Sequence, residues 1–113
     1  MQRRDAIGPS LLFFQVASLM AEILESNKGM AYGHQSPQGE EAAAICEDCE
    51  RVVDKAWEKV GAIAEEDERA AELIASHFLM GEPWADVAVA NRMSVGMCKK
   101  LASDAMRRYD ERR

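Results

Sequence analysis

The side chains of this sequence that are spaced to do chemistry are cationic and gather near its C-terminal end. Arg92, Lys99, Lys100, Arg107 and Arg108 lie close together there, with Ser94 and Ser103 among them. Guanidinium and ammonium groups interspersed with hydroxyls are the donors that meet phosphate oxygens and guanine edges. The whole chain carries 14 Lys and Arg against 20 Asp and Glu, a net charge of −6. Such a chain does not bind nucleic acid indiscriminately, because phosphate attraction is the sequence-independent part of that affinity. The charge is unevenly placed: residues 40–75 hold 12 acidic and 4 basic side chains, residues 76–113 hold 5 and 7. The basic excess therefore belongs to a confined C-terminal segment, and the acidic excess to the helix before it.

Other chemistries lack a constellation. Cys46 and Cys49 form a C-x-x-C, but Cys98 and His77, the nearest further ligands, stand at no recognised zinc spacing. The pair also sits in an Ala- and Glu-rich helical stretch rather than at a strand-to-helix redox turn, so both cysteines, like Cys98, read as small residues on helix seams. Three cysteines, an odd number, argue against a disulfide framework and fit a reducing cytoplasm. Tyr32 and His34 have no nucleophile or carboxylate cluster beside them in sequence. The sequence reads as a non-enzyme with no catalytic residues, no metal and no cofactor.

The elements that must position the cationic residues are helical. Many Ala and Met, few aromatics and 3 Pro predict an all-α protein, a small helical bundle with one modest core for 113 residues. Leu12, Phe13, Val16, Met20, Ile23 and Leu24 repeat at helical spacing and predict an amphipathic helix over 10–27, with Phe14 and Leu19 toward its flank. Arg3 and Arg4 ahead of this run resemble the start of a leader, but Gln15, Ser18 and Glu22 interrupt it, and it is too short to cross a membrane. Residues 28–39, with three Gly and a Pro, read as a loop, of which 28–36 is the connection proper. Ser36 and Pro37 suit the cap and first position of a second helix over 37–63. Its seam is Ile45, Cys49, Val52, Ala56, Val60 and Ile63, with Trp57 one step off and a solvated acidic face opposite. Gly61 and the run Glu65–Glu68 end it, and a third helix follows over about 67–80. The tail from Asp110 reads as frayed.

The cationic segment has its own punctuation. Gly81 suits a left-handed helix end, and Pro83 suits the first position of a short helix whose buried face is Trp84, Val87 and Ala88. Ser94 is the cap of a further helix with the apolar stripe Met97, Cys98, Leu101, Ala105 and Tyr109. This predicts a C-terminal helix-turn-helix: residues 1–66 supply the N-terminal helices, residues 67–113 the motif, and the two pack as one unit.

Phe78, Leu79, Gly81, Trp84, Asp86, Val87, Ala88, Met93 and Ser94, followed by Cys98, Lys99, Ala105 and Met106, stand in the register of a known pattern. Residues 73–109 resemble the promoter-reading C-terminal region of bacterial sigma factors, sigma region four, and related single-domain regulators of phages and prophages. Asn91 and Arg92 depart from the pattern, standing where the family has an aliphatic residue and Gly, and Gly96 sits in the first turn of the second helix. The resemblance implies a sequence-specific, DNA-binding transcriptional regulator whose second helix enters the major groove. On this chain it points to Val95, Gly96, Met97, Lys99 and Lys100 for base readout and to Ser94 for a phosphate contact. Arg92, Arg107 and Arg108 are then backbone clamps, and Ser103 completes the DNA-facing set. Double-stranded DNA is the implied partner; RNA polymerase and a second copy of the chain are the further partners this reading admits, with no membrane. The competing expectation is a helical protein-interaction module, for example one docking on RNA polymerase, that does not bind DNA on its own. Its acidity and seam-bearing, Met-rich helices suit that role.

Overall fold

A proline at its first turn and apolar residues at helical spacing set the start of the first helix. In the computed structural model, which describes residues 8–31 and 37–112 and the side chains of 8–26 and 47–112, α1 spans Pro9–Ala31. Pro9 has no N–H to leave unpaired, and the Gly8 carbonyl accepts from the Leu12 amide at 3.1 Å. The helix runs past residue 27, so positions 28–31 of the predicted loop are helical instead. Lys28, Met30 and Ala31 are good helix formers, and the single Gly29 costs only about 1 kcal/mol against continued propagation. Tyr32, His34 and Ser36 lie outside the described residues.

Helix α2 spans Pro37–Ala64, with Pro37 in the first position as predicted. Cys49, Ala56, Val60 and Ile63 are buried along its predicted seam, and Trp57 is 44% exposed; the side chains of Ile45 and Cys46 lie outside the described set. Gly61 does not end this helix, contrary to the sequence reading. It is exposed, and the burial of its neighbours Val60 and Ile63 outweighs its low propensity. The break comes at Glu65–Asp67. There the Asp67 carboxylate accepts from the Ala70 amide at 3.1 Å and caps α3, Glu68–Ile74.

After α3 the chain widens into a π-helical turn, Ala75–Leu79, in which the Met80 amide reaches the Ala75 carbonyl at 2.9 Å. Gly81, at φ +74°, ends it, and the Glu82 amide closes back on Ser76 at 3.0 Å. Helix α4, Trp84–Asn91, follows, then α5, Val95–Glu111. Pro83 is the cap of α4 rather than its first residue: its ψ of 149° is extended, and its carbonyl accepts from the Asp86 and Val87 amides. No strand occurs among the described residues.

The main core joins Phe14 and Ala17 of α1, Ala56, Val60 and Ile63 of α2, Ala70 and Ile74 of α3, Phe78 of the π turn and Ala102, Ala105 and Met106 of α5. Both halves of the chain thus share it. A second cluster, Leu73, Val87, Ala88 and Cys98, seats α4 against α3 and α5. The buried face of α1 is not the one its spacing predicts. Phe14, placed on the flank by the spacing, and Ala17 are wholly buried, whereas Leu12 of the predicted stripe is 53% exposed; Leu19, the other flanking residue, is 59% exposed. The Phe14 ring packs 5.9 Å from Phe78 and 5.7 Å from Phe13 between centroids, and this aromatic cluster turns that face inward. The tail also departs from its reading as frayed. Ser10 donates its hydroxyl and amide to the Asp110 carboxylate at 2.5 and 3.1 Å, and Arg112 pairs with Glu66 at 2.9 Å.

Candidate nucleic-acid interface

The turn before α5 is set by backbone chemistry. Arg92 adopts φ 57°, ψ 45°, the left-handed conformation that normally favours glycine. From there the Arg92 amide bonds the Val89 carbonyl at 3.2 Å and the Met93 amide bonds the Ala88 carbonyl at 3.0 Å, the paired closure of a Schellman motif. Asn91 adds a side-chain bond to the Val87 carbonyl at 2.8 Å. Ser94 then caps α5, its hydroxyl accepting from the Met97 amide at 3.1 Å.

Buried Cys98, Ala102, Ala105 and Met106 fix the rotation of α5. Cys98 lies on this face as the sequence reading places it, while Met97 is 47% exposed and off the stripe. Cys98 Sγ is 3.8 Å from Met93 Sδ, and Cys49 Sγ is 3.4 Å from Met20 Sδ, so both buried sulfurs pack against a methionine thioether. At about 100° per residue, Gly96, Lys100, Ser103 and Arg107 form one outward ridge, and all four are exposed. Lys99 lies on one flank; Met97 and Arg108 lie on the other, with Val95 half-buried against the second cluster. Arg92 and Ser94 are exposed at the N-terminal end of the ridge.

Beside the ridge, on the Met97 flank, stands a residue the sequence reading did not single out. Asp104 bonds Arg107 at 2.5 Å and Lys100 at 3.3 Å, so both ridge cations share one carboxylate. The Arg107 guanidinium first, and the Lys100 ammonium second, hold the Asp104 carboxyl below its usual range. The signal was legible, since Asp104 is four residues after Lys100 and three before Arg107. Arg108 turns away from this group and bonds Asp67, the α3 cap, at 3.1 Å.

On the Lys99 flank, Lys99 and Ser103 rim a groove of about 230 Å³ between α1 and α5, with Phe78, Trp84 and Met106 among its lining. His77 stacks on Trp84 with centroids 4.1 Å apart and donates from Nδ1 to the Glu82 carbonyl at 2.8 Å, the bond fixing the proton on that nitrogen. No group of three or more His, Cys, Asp or Glu among the described residues is placed to hold a metal ion. No described helix is long and apolar enough to cross a membrane. Comparison with known proteins found no matching family model, no matching curated protein and no matching solved structure.

Proposed function

We propose that this protein is a sequence-specific DNA-binding transcriptional regulator in which α4, the Arg92–Ser94 turn and α5 act as a helix-turn-helix resembling sigma region four. The observation that carries this reading is the exposed ridge Gly96–Lys100–Ser103–Arg107 on a helix whose N-terminus is capped by Ser94 and free to approach a phosphate. In the major groove, Lys99 and Lys100 meet guanine acceptors, Met97 and Val95 offer apolar contact to thymine methyls, and Arg92 and Arg107 hold the backbone on either side. Arg108 joins them only by leaving Asp67. The buried Cys98 thiol, outside any disulfide, suits a cytoplasmic regulator, and the phage or prophage origin rests on the resemblance alone.

The test is selection from a random double-stranded DNA pool at two salt concentrations. Enrichment of one motif, with affinity falling as salt rises, supports the regulator. A second reading, an acidic helical module that docks on a protein such as RNA polymerase, is favoured by the Asp104 carboxylate beside the ridge and by the groove beside Lys99. Absence of retention at low salt selects that reading.

A further inference from the structure

Helix α1 is apolar on two opposite faces, and among the described residues the buried core draws on one of them. Leu12, Val16, Leu19 and Ile23 are spaced four, three and four apart, and are 53%, 36%, 59% and 36% exposed. At about 100° per residue they fall within an arc of about 60°, roughly opposite wholly buried Phe14 and Ala17. A lone exposed leucine is ordinary; four large aliphatic side chains in one line on one helix mark a contact surface.

We propose that this stripe packs against the same stripe of a second copy of the chain, forming a two-stranded helix pair. The four-three-four spacing is that of a heptad seam, and it assigns leucine to both d positions and β-branched Val16 and Ile23 to both a positions. That assignment favours two strands over three or four. In a parallel pair each seam residue meets its own copy across the two-fold axis, a with a and d with d, which is the isologous contact of a homodimer. No charged side chain falls within the arc, so pairing removes no ion from water. The length of α1 bounds the size of the contact. Over its 23 residues α1 is about 35 Å long. A contact along one such helix belongs at the low end of specific interfaces, below about 1,200 Å² in total. This inference does not depend on DNA binding.

Sedimentation across a micromolar concentration series tests it. The wild-type mass rises from 12.6 kDa toward twice that value, whereas Leu19→Glu stays monomeric with unchanged helicity by circular dichroism. If Leu19→Glu fails to fold, cysteine cross-linking still decides. In a Cys46→Ser background, Leu19→Cys near the middle of the seam cross-links to a dimer, and Val89→Cys, 79% exposed on α4, does not. A wild-type monomer at every concentration overturns the proposal, whether Leu19→Cys then alkylates slowly because the chain's own residues cover it or quickly because the face awaits a different protein. A dimer that survives Leu19→Glu, or equal cross-linking of the two cysteine variants, overturns it as well.

Discussion

Ser10 and Asp110, a hundred positions apart, close the fold on itself: the Asp110 carboxylate accepts both the hydroxyl and the amide of Ser10 in the first turn of α1. The acceptor is charged and the hydroxyl wholly buried, and carboxylates are favoured at helix N-termini. Space there is tight, since a Cβ on Gly8 would stand 3.0 Å from the same carboxylate. Asp110→Ala takes the acceptor from the buried Ser10 hydroxyl and amide, with Lys59 Nζ at 3.3 Å still donating to the Ser10 oxygen, and destabilises the protein by about 2 kcal/mol in urea titration. A change below about 0.5 kcal/mol means that water replaces the carboxylate at no cost.

Arg92 holds the left-handed position of the Schellman closure, where glycine would sit without strain. Arg92→Gly relieves the left-handed backbone and raises stability by about 1 kcal/mol. If Arg92 holds a phosphate, the same variant weakens DNA binding across all sequences and flattens its salt dependence by about one unit of slope. Stability gained with no loss of affinity removes Arg92 from the interface.

Gly96 meets nothing within 4 Å where a Cβ would stand, so the folded chain makes no demand for glycine there. Gly96→Ala therefore raises stability by about 1 kcal/mol through helix propensity. The regulator reading adds that affinity for selected DNA falls, because the new methyl stands on the ridge that approaches the duplex. A variant more stable and equally active would show the glycine to be incidental.

Asp104 acts as an internal competitor for phosphate. Asp104→Asn frees Lys100 and Arg107, raises affinity for unselected DNA several-fold and steepens the salt dependence by about one to two units of slope. The carboxyl is itself a reporter. Held below its usual range, it favours the folded state above the unfolded-chain value of its pKa, and that contribution is lost as pH falls through the folded value. An NMR titration should find its midpoint displaced upward in both Arg107→Ala and Lys100→Ala, and further in the arginine variant.

Local chemistry was legible from residue types alone. Pro37, Gly81 and Ser94 act within a turn of themselves, and the structure shows each at its helix boundary. Long-range partners were not. That Phe14 rather than Leu12 turns inward is decided by Phe78, 64 positions away, and that Asp110 is ordered is decided by Ser10. Among the candidate ridge residues, helical phase fixes which share a face; the pairing of Arg108 with Asp67 across 41 positions leaves no trace in spacing.

The π-helical turn at Ala75–Leu79 sets a rule for how this chain tolerates changes in length. Its wider bonding accommodates one residue more than an α-helical path would. Removing one residue from this segment can return it to α geometry while α4 and α5 keep their orientation on the core. The same deletion within α3 would swing everything after it by about 100° and carry the cationic ridge off the exposed face. Single-residue length variants are therefore accommodated at the π turn and rejected in α3.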